Sequence, residues 1–500
     1  MRFPLELAPG LISDETTHAT PGQFVDGNNV RFWRGKPQTI GGWTKANASA
    51  LTGICRNVIS WLDNGGVPIQ AFGSTEALQV LFDDVLYNIT PAGLPDGNED
   101  SLEAGGWGVG GYGTGGYGGG FVEYFPRTWS LANWGEYLMA SPRGYPVYLW
   151  ENDPTSVATE ITQSPNEIMH MLVTPERQVV AFGCNEESSG DFNWLCIRWS
   201  DVQDYTDWTT AADNNAGEYI LESGGKIVAA KLFGPYIAIW TDTSVHLMQF
   251  IGDPGETFRF ELVADNCGLA GPNAVTVVNQ TAYWLTPDLQ FYAWQFGAPP
   301  QPMPCPIRND FKDNVDTDEL AKVVCTSVSE FNEIWWFYPD TRDGDENSRY
   351  VAVSLNDGTW FRGELARTAA IDSGPQRYPI FVSPTGYIYS HESGQTADGE
   401  DLEWSVETGD LYLSEAGNRV LVRGVWPDFE DQSGVVVMSI WSKSYPQATE
   451  KAKGPWSLAA GREKRDFMFE TRIARVKFSG TGSYARLGKP SFDVTSAGEV

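Results

Sequence analysis

Histidine is scarce in this 500-residue chain, and its 4 copies, His18, His170, His246 and His391, stand singly. The 6 cysteines are just as scattered, Cys184 and Cys196 being the nearest neighbours, so no zinc-ligand spacing exists among them. Residues 1–10 show no export signal, and a chain of this length can build a large core, so free buried thiols are expected rather than disulfides. No apolar run approaches the ~18 residues of a membrane-spanning helix. These absences lead to the expectation of a soluble protein that folds in a cytoplasm. Basic residues are also few, 34 against 65 acidic ones, for a formal charge of -31. Such a balance argues against broad wrapping of nucleic acid, whose phosphates are held mainly by Lys and Arg. It serves solubility, or presents an acidic wall past which a polyanion slides.

Catalytic grammar is missing too. There is no nucleophile elbow, no phosphate-cradling Gly loop ending in Lys-Ser or Lys-Thr, and no zinc-binding HExxH helix. Neighbouring carboxylates such as Asp428 and Glu430 are expected by chance in so acidic a chain. The acidic loop 339–347 lacks the alternating ligands of a calcium loop and is read as a hairpin tip. No catalytic, cofactor-binding or metal-binding residue is assigned, no cofactor is expected, and the chain is not read as an enzyme.

What the sequence does contain is β-sheet grammar. With 53 Gly and 30 Pro it has too many helix breakers for a mostly helical protein. The stretch 177–210 serves as a template: an apolar run ending at Gly183, a polar loop, an aromatic and branched run over 194–199, then Ser200, Asp201, Asp207 and Trp208. Here short polar side chains bond to their own backbone and a large ring plugs the space between sheets. Four short runs at 54–61, 69–72, 78–82 and 85–89 make one propeller blade, and comparable blocks follow at 129–150, 168–208, 227–263, 275–296, 323–360 and 378–391. The expected fold is therefore all-β: a β-propeller of six or seven blades over 51–395 and a C-terminal β-sandwich-like domain over 396–500. An N-terminal arm and hairpin occupy 1–50, with the hairpin turn at Arg34–Pro37. The best helix candidate is 316–323. The turn at Ser354, Asn356, Asp357, Gly358, Thr359 and Trp360 resembles the Asp-box turns of sialidase-type propellers, one residue short between Gly and Thr-Trp, and such boxes are structural.

Two surfaces are candidate interfaces. Residues 104–120 hold 11 Gly in 17 positions, with Trp107, Tyr112 and Tyr117 at intervals of five. This is a flexible surface loop, or a projection whose rings anchor a partner. Residues 451–489 carry ten basic side chains against three acidic ones, Arg462, Lys464, Arg465, Arg472, Arg475 and Lys477 among them. They form a solvated face paired with the chain's own carboxylates, or dock onto an acidic neighbour.

Several stretches resemble the tail nozzle or hub proteins of short-tailed bacteriophages, also called packaged-DNA stabilisation proteins. They are DGNNVRFWRGKPQTIGGW at 26–43, GYGTGGYG at 111–118, IRWSDVQDYTDW at 197–208, DNCGLAGPNAV at 265–275, AYWL at 282–285, FYAW at 291–294 and NEIWWFYPD at 332–340. The resemblance implies a structural virion protein of the tail, assembled in the host cytoplasm. It would form a closed ring of itself, hexameric by analogy, below the portal and adaptor. Its partners would be the adaptor or portal-side neck protein, tail fibre or needle proteins, and genome DNA passing through without sequence-specific binding. The alternatives are a carbohydrate- or receptor-binding tail propeller and, further off, a propeller glycosidase.

Overall fold

The computed structural model describes residues 2–102, 125–253, 256–414 and 417–497. Blade 1 shows how the sequence makes a sheet. Cys55–Leu62, Pro68–Ser74, Leu78–Phe82 and Val85–Asn88 pair antiparallel in chain order. Between the last two strands Asp83 and Asp84 take φ 50° and 60°, the pair of positive values that a tight two-residue hairpin requires and Asp tolerates. Five more four-stranded antiparallel meanders follow, and their first strands are Trp129–Trp134, Ile168–Val173, Ile227–Phe233, Val275–Val278 and Val324–Val328. The last sheet begins with Ala369–Ile371, which packs against Cys55–Leu62 of blade 1 and closes the circle. The propeller thus has seven blades.

Blade 7 has only three strands of its own, ending at Ile388–His391, and its fourth is Trp43–Lys45 from the N-terminal segment. The expected boundary at residue 51 therefore cuts through the propeller. A three-stranded last blade would leave a bare row of backbone donors and acceptors, and the N-terminal strand covers it. The chain enters through Gly41 and Gly42, where an added Cβ would lie 2.3 Å from the Glu392 carboxylate and 2.3 Å from the Thr396 carbonyl. Only glycine allows so close a passage.

The rest of the N-terminal segment is not a free arm. Arg2–Pro4 pairs with Ser491–Ser496, Phe24–Asn28 with Glu403–Thr408, and the hairpin Val30–Trp33/Lys36–Thr39 reaches Tyr484–Leu487 through Gln38. An isolated hairpin is marginal in water, and these strands gain stability by completing the three sheets of the C-terminal domain. That domain's buried Val422, Met438, Ile440, Val476, Phe478 and Phe492 belong to one apolar cluster with Phe24, Phe32, Trp336 and Trp360, so the core runs unbroken into the propeller. The expected helix at 316–323 is reduced to a single 3-10 turn, Leu320–Lys322, and the α-helix lies earlier, at Arg308–Asn314. The Asp316 carboxylate is spent on a local backbone bond, accepting from the Asp318 N–H at 3.0 Å, rather than on a longer helix.

The template module behaves as its residues dictate. Asp201 and Asp204 accept backbone N–H bonds from Val202 and Thr206, both at 2.8 Å. Trp208 is buried against Trp134 and Met139 of blade 2 and Ile168 and Met171 of blade 3. Its indole N–H donates to the Tyr205 carbonyl at 2.9 Å. Truncation to Ala removes the wedge between two blades, and Trp208→Ala is expected to lower unfolding stability by about 3–5 kcal/mol in chemical denaturation. A loss within error would show that the ring does not hold the blades together.

A polar thread also crosses three blades. The Ser130 hydroxyl faces His170 Nδ1 at 3.1 Å, and His170 Nε2 faces the Ala230 carbonyl at 2.9 Å. The carbonyl can only accept, so Nε2 carries the proton and Nδ1 accepts from Ser130. Burial, with the nearby charge of Lys231, pushes the imidazole down to about 3 from its ordinary 6.5. The unfolded chain then binds the proton more readily. This group's contribution to stability is present above pH 6.5 and is lost as pH falls towards 3. His170→Gln should flatten the acid limb of the stability profile between those values, and an unchanged slope would contradict the assignment.

Candidate interaction surface

Some of the basic residues of 451–489 fall on two sheet edges, while Arg475 and Lys477 lie on the interior strand Ile473–Thr481 and Arg486 on Tyr484–Leu487. Lys451–Ala459 is the outermost strand of one C-terminal sheet, and Arg465–Thr471 the outermost strand of another. Among the apolar residues interleaved with these charges, Phe469, Ile473, Val476 and Phe478 are buried. Phe467 is half-buried and stacks on Trp456, with ring centroids 4.1 Å apart. Beside it Met468 is 75% exposed. Both edge strands leave one row of backbone donors and acceptors without a strand partner among the described residues. Sequence reasoning named the charges and missed the aromatic stack, because the pairing of Trp456 with Phe467 spans a turn whose register no local pattern reveals.

The structure divides the six basic candidates. Lys464 pairs with Asp466 at 2.9 Å and Asp493 at 3.0 Å, bonds that hold its amine above the usual range. Its ammonium also lies 4.8 Å from the Trp426 ring. Arg475 is held by Glu407 and Glu450, each at 2.7 Å, and Lys477 approaches Glu407 at 3.9 Å. These three follow the solvated, internally paired reading. Arg472 donates to the Gly417 carbonyl at 2.7 Å and is exposed. Arg462 is exposed at the turn joining the two edge strands, and Arg465 opens the second of them. The aromatic candidates Trp107, Tyr112 and Tyr117 lie outside the described residues.

The joint between the two domains centres on Arg31. Its guanidinium is wholly buried, donates to both oxygens of Glu392 at 2.8 and 2.6 Å, and lies 3.1 Å from Glu333. The Phe331 ring covers it at 3.6 Å. Around this core Arg362 bridges Asp26 at 2.8 Å and Asp310 at 2.9 Å, tying the N-terminal strand Phe24–Asn28 to the propeller. Two carboxylates share one buried cation, so burial, opposed by Arg31 and reinforced by Glu392, pushes the Glu333 carboxyl up to about 7.

No protein-family model matches the chain, and no curated protein matches it. Among solved structures it is similar to the WD40 β-propeller domain of Doa1, with 9% identity and a TM-score of 0.41, over 70% of this chain and 97% of that one.

Two measurements test the joint. Arg31→Met strands two buried carboxylates and should cost about 3–5 kcal/mol of stability. Glu333 holds its proton more tightly when folded, so its contribution is fully present below pH 4.5 and is lost as pH rises through about 7. Glu333→Gln should therefore gain on the unmodified protein between pH 5 and pH 8.5, by up to about 3 kcal/mol. A parallel pair of stability profiles would refute the raised Glu333 carboxyl.

Proposed function

We propose that this protein is a structural subunit of a short-tailed phage tail, one wedge of a closed nozzle or hub ring that retains packaged DNA and conducts it during ejection. The observation that carries the reading is where the family-like stretches meet. The run at 26–43 supplies Arg31 and the run at 332–340 supplies Glu333, and the two form the buried pair of the joint. The same first run ends in the Gly41-Gly42-Trp43 passage that completes blade 7. Those stretches thus build the clasp that makes propeller and C-terminal domain one rigid body, the property a ring subunit needs. The charge of -31 supports a conduit wall to which DNA does not adhere. Its role is mechanical rather than catalytic, in the virion tail after assembly in the host cytoplasm, with an adaptor or portal-side ring above and fibre or needle proteins below.

The basic turn gives the test. Lys464 serves its own domain, so the informative change is Arg462→Glu with Arg465→Glu, which leaves the Asp466 and Asp493 pairs intact. With neck rings as template, native mass spectrometry and electron microscopy should show a cyclic oligomer of the unmodified chain, forming more slowly at high salt. The double reversal should abolish docking with no change in thermal stability. Normal docking of the reversed protein would remove the basic turn from the interface, and a chain that stays monomeric inside assembled particles would overturn the ring. Saturable binding on a glycan array would instead favour the carbohydrate-binding alternative.

A further inference from the structure

The seven first strands enclose a cavity of about 480 Å³ on the propeller axis. Its wall is part apolar, with Ile59, Leu131, Leu172, Val277 and Ile371 among the lining residues. Three charged groups line it, and two are already satisfied. Arg56 makes a two-pronged bond to Glu346 at 3.0 and 2.9 Å. Asp372 accepts from the Ser327 hydroxyl at 2.6 Å, the Ser329 N–H at 3.0 Å and the Ser373 N–H at 2.7 Å.

Lys231, on the first strand of blade 4, is the third. Its electrostatic neighbours are the Cys325 thiol and the neutral His170 ring, and neither is a carboxylate. Its side chain is half-buried and lines the cavity, and burial lowers its amine below the ordinary range. A cation partly withdrawn from water without a counter-charge is less well solvated than a surface lysine, and an anion that reaches it meets weaker screening than on the open surface.

We propose that the axial cavity binds a small monocarboxylate with an apolar body, its carboxylate paired with Lys231 Nζ and its body packed against the aliphatic wall. One unmatched cation selects one negative charge, and the carboxylate of Asp372 disfavours a second. The enclosing strands restrict the ligand to a small molecule, and the aliphatic lining favours hydrocarbon over a hydrated anion such as phosphate. This site is independent of the tail role and of the basic turn.

Hexanoate and its neutral isostere hexanamide are suitable probes for calorimetric titration of the full chain. Hexanoate should bind saturably at one site, with a preference over hexanamide of roughly ten-fold or more, the usual worth of a hydrogen bond to a charged group. Lys231→Met should erase the preference and Lys231→Arg retain part of it. Saturation with hexanoate should also slow reductive methylation of Lys231 relative to the other lysines, read by peptide mass spectrometry. This measurement needs no variant and decides the matter if Lys231→Met fails to fold. Equal affinity for the two probes, no saturable binding, a preference that survives Lys231→Met, or an unprotected Lys231 would each overturn the proposal.

Discussion

The whole architecture depends on one three-strand blade finding its fourth strand in Trp43–Lys45, near the other end of the chain. A propeller closed by a covalent meander alone would join its first and last blades only by side-chain packing. Here backbone pairing of Trp43 with His391, Thr44 with Ser390 and Lys45 with Tyr389 fixes blade 7 to the segment that leads into blade 1. The Trp43 ring stacks on His391, with centroids 5.1 Å apart, and the Arg367 guanidinium lies 5.0 Å from the same ring. Because the segment before Trp43 also supplies strands to the C-terminal domain, opening the clasp would disturb both units.

The clasp explains why an ion cluster is buried at the joint. Apolar side chains of the same volume would often be at least as stable as a buried ion pair, so stability alone is weak grounds for Arg31. Its two-pronged contact with Glu392 is directional, and Glu392 also accepts from the Gly41 N–H at 3.0 Å. One carboxylate therefore sets the position of the hairpin and of the glycine passage together. The cluster acts as a registration device, and the raised Glu333 carboxyl is the electrostatic cost of burying it, with Glu392 beside the same cation.

How much of this was legible in the sequence follows from the range of each interaction. Blade 1 was readable strand by strand, since its pairing is between consecutive runs and its turns carry Asp and Gly where positive φ demands them. The plugging role of Trp208 was readable from one loop, because Asp201 and Asp204 organise that loop locally. The blade count stayed between six and seven because the last strand comes from the opposite end of the chain, and no periodicity marks three residues as a strand. The N-terminal segment was mistaken for an arm for the same reason: Arg2–Pro4 and Phe24–Asn28 find their partner strands beyond residue 400. At the candidate surface the basic side chains were legible, but their division into paired and outward sets was not. That division depends on where Glu407, Glu450 and Asp493 come to lie.

Charge is distributed in a way that follows from these placements. Acidic residues dominate the exposed surface of the chain, where water solvates them, while the cations are drawn to positions where the fold needs a counter-charge: Arg31 at the joint, Arg362 between domains, Arg475 within the C-terminal sheet. The Arg462 turn on the sheet edges and Lys231 on the propeller axis depart from this pattern. At both, a positive group lacks a carboxylate partner among the described residues, one facing solvent and the other a cavity. In a chain with a formal charge of -31, leaving a cation unmatched inside the protein is harder than matching it. The exposed turn can be left to water and salt, while the axial lysine, partly withdrawn from water, is relieved by losing its proton or by gaining an anion from outside the chain.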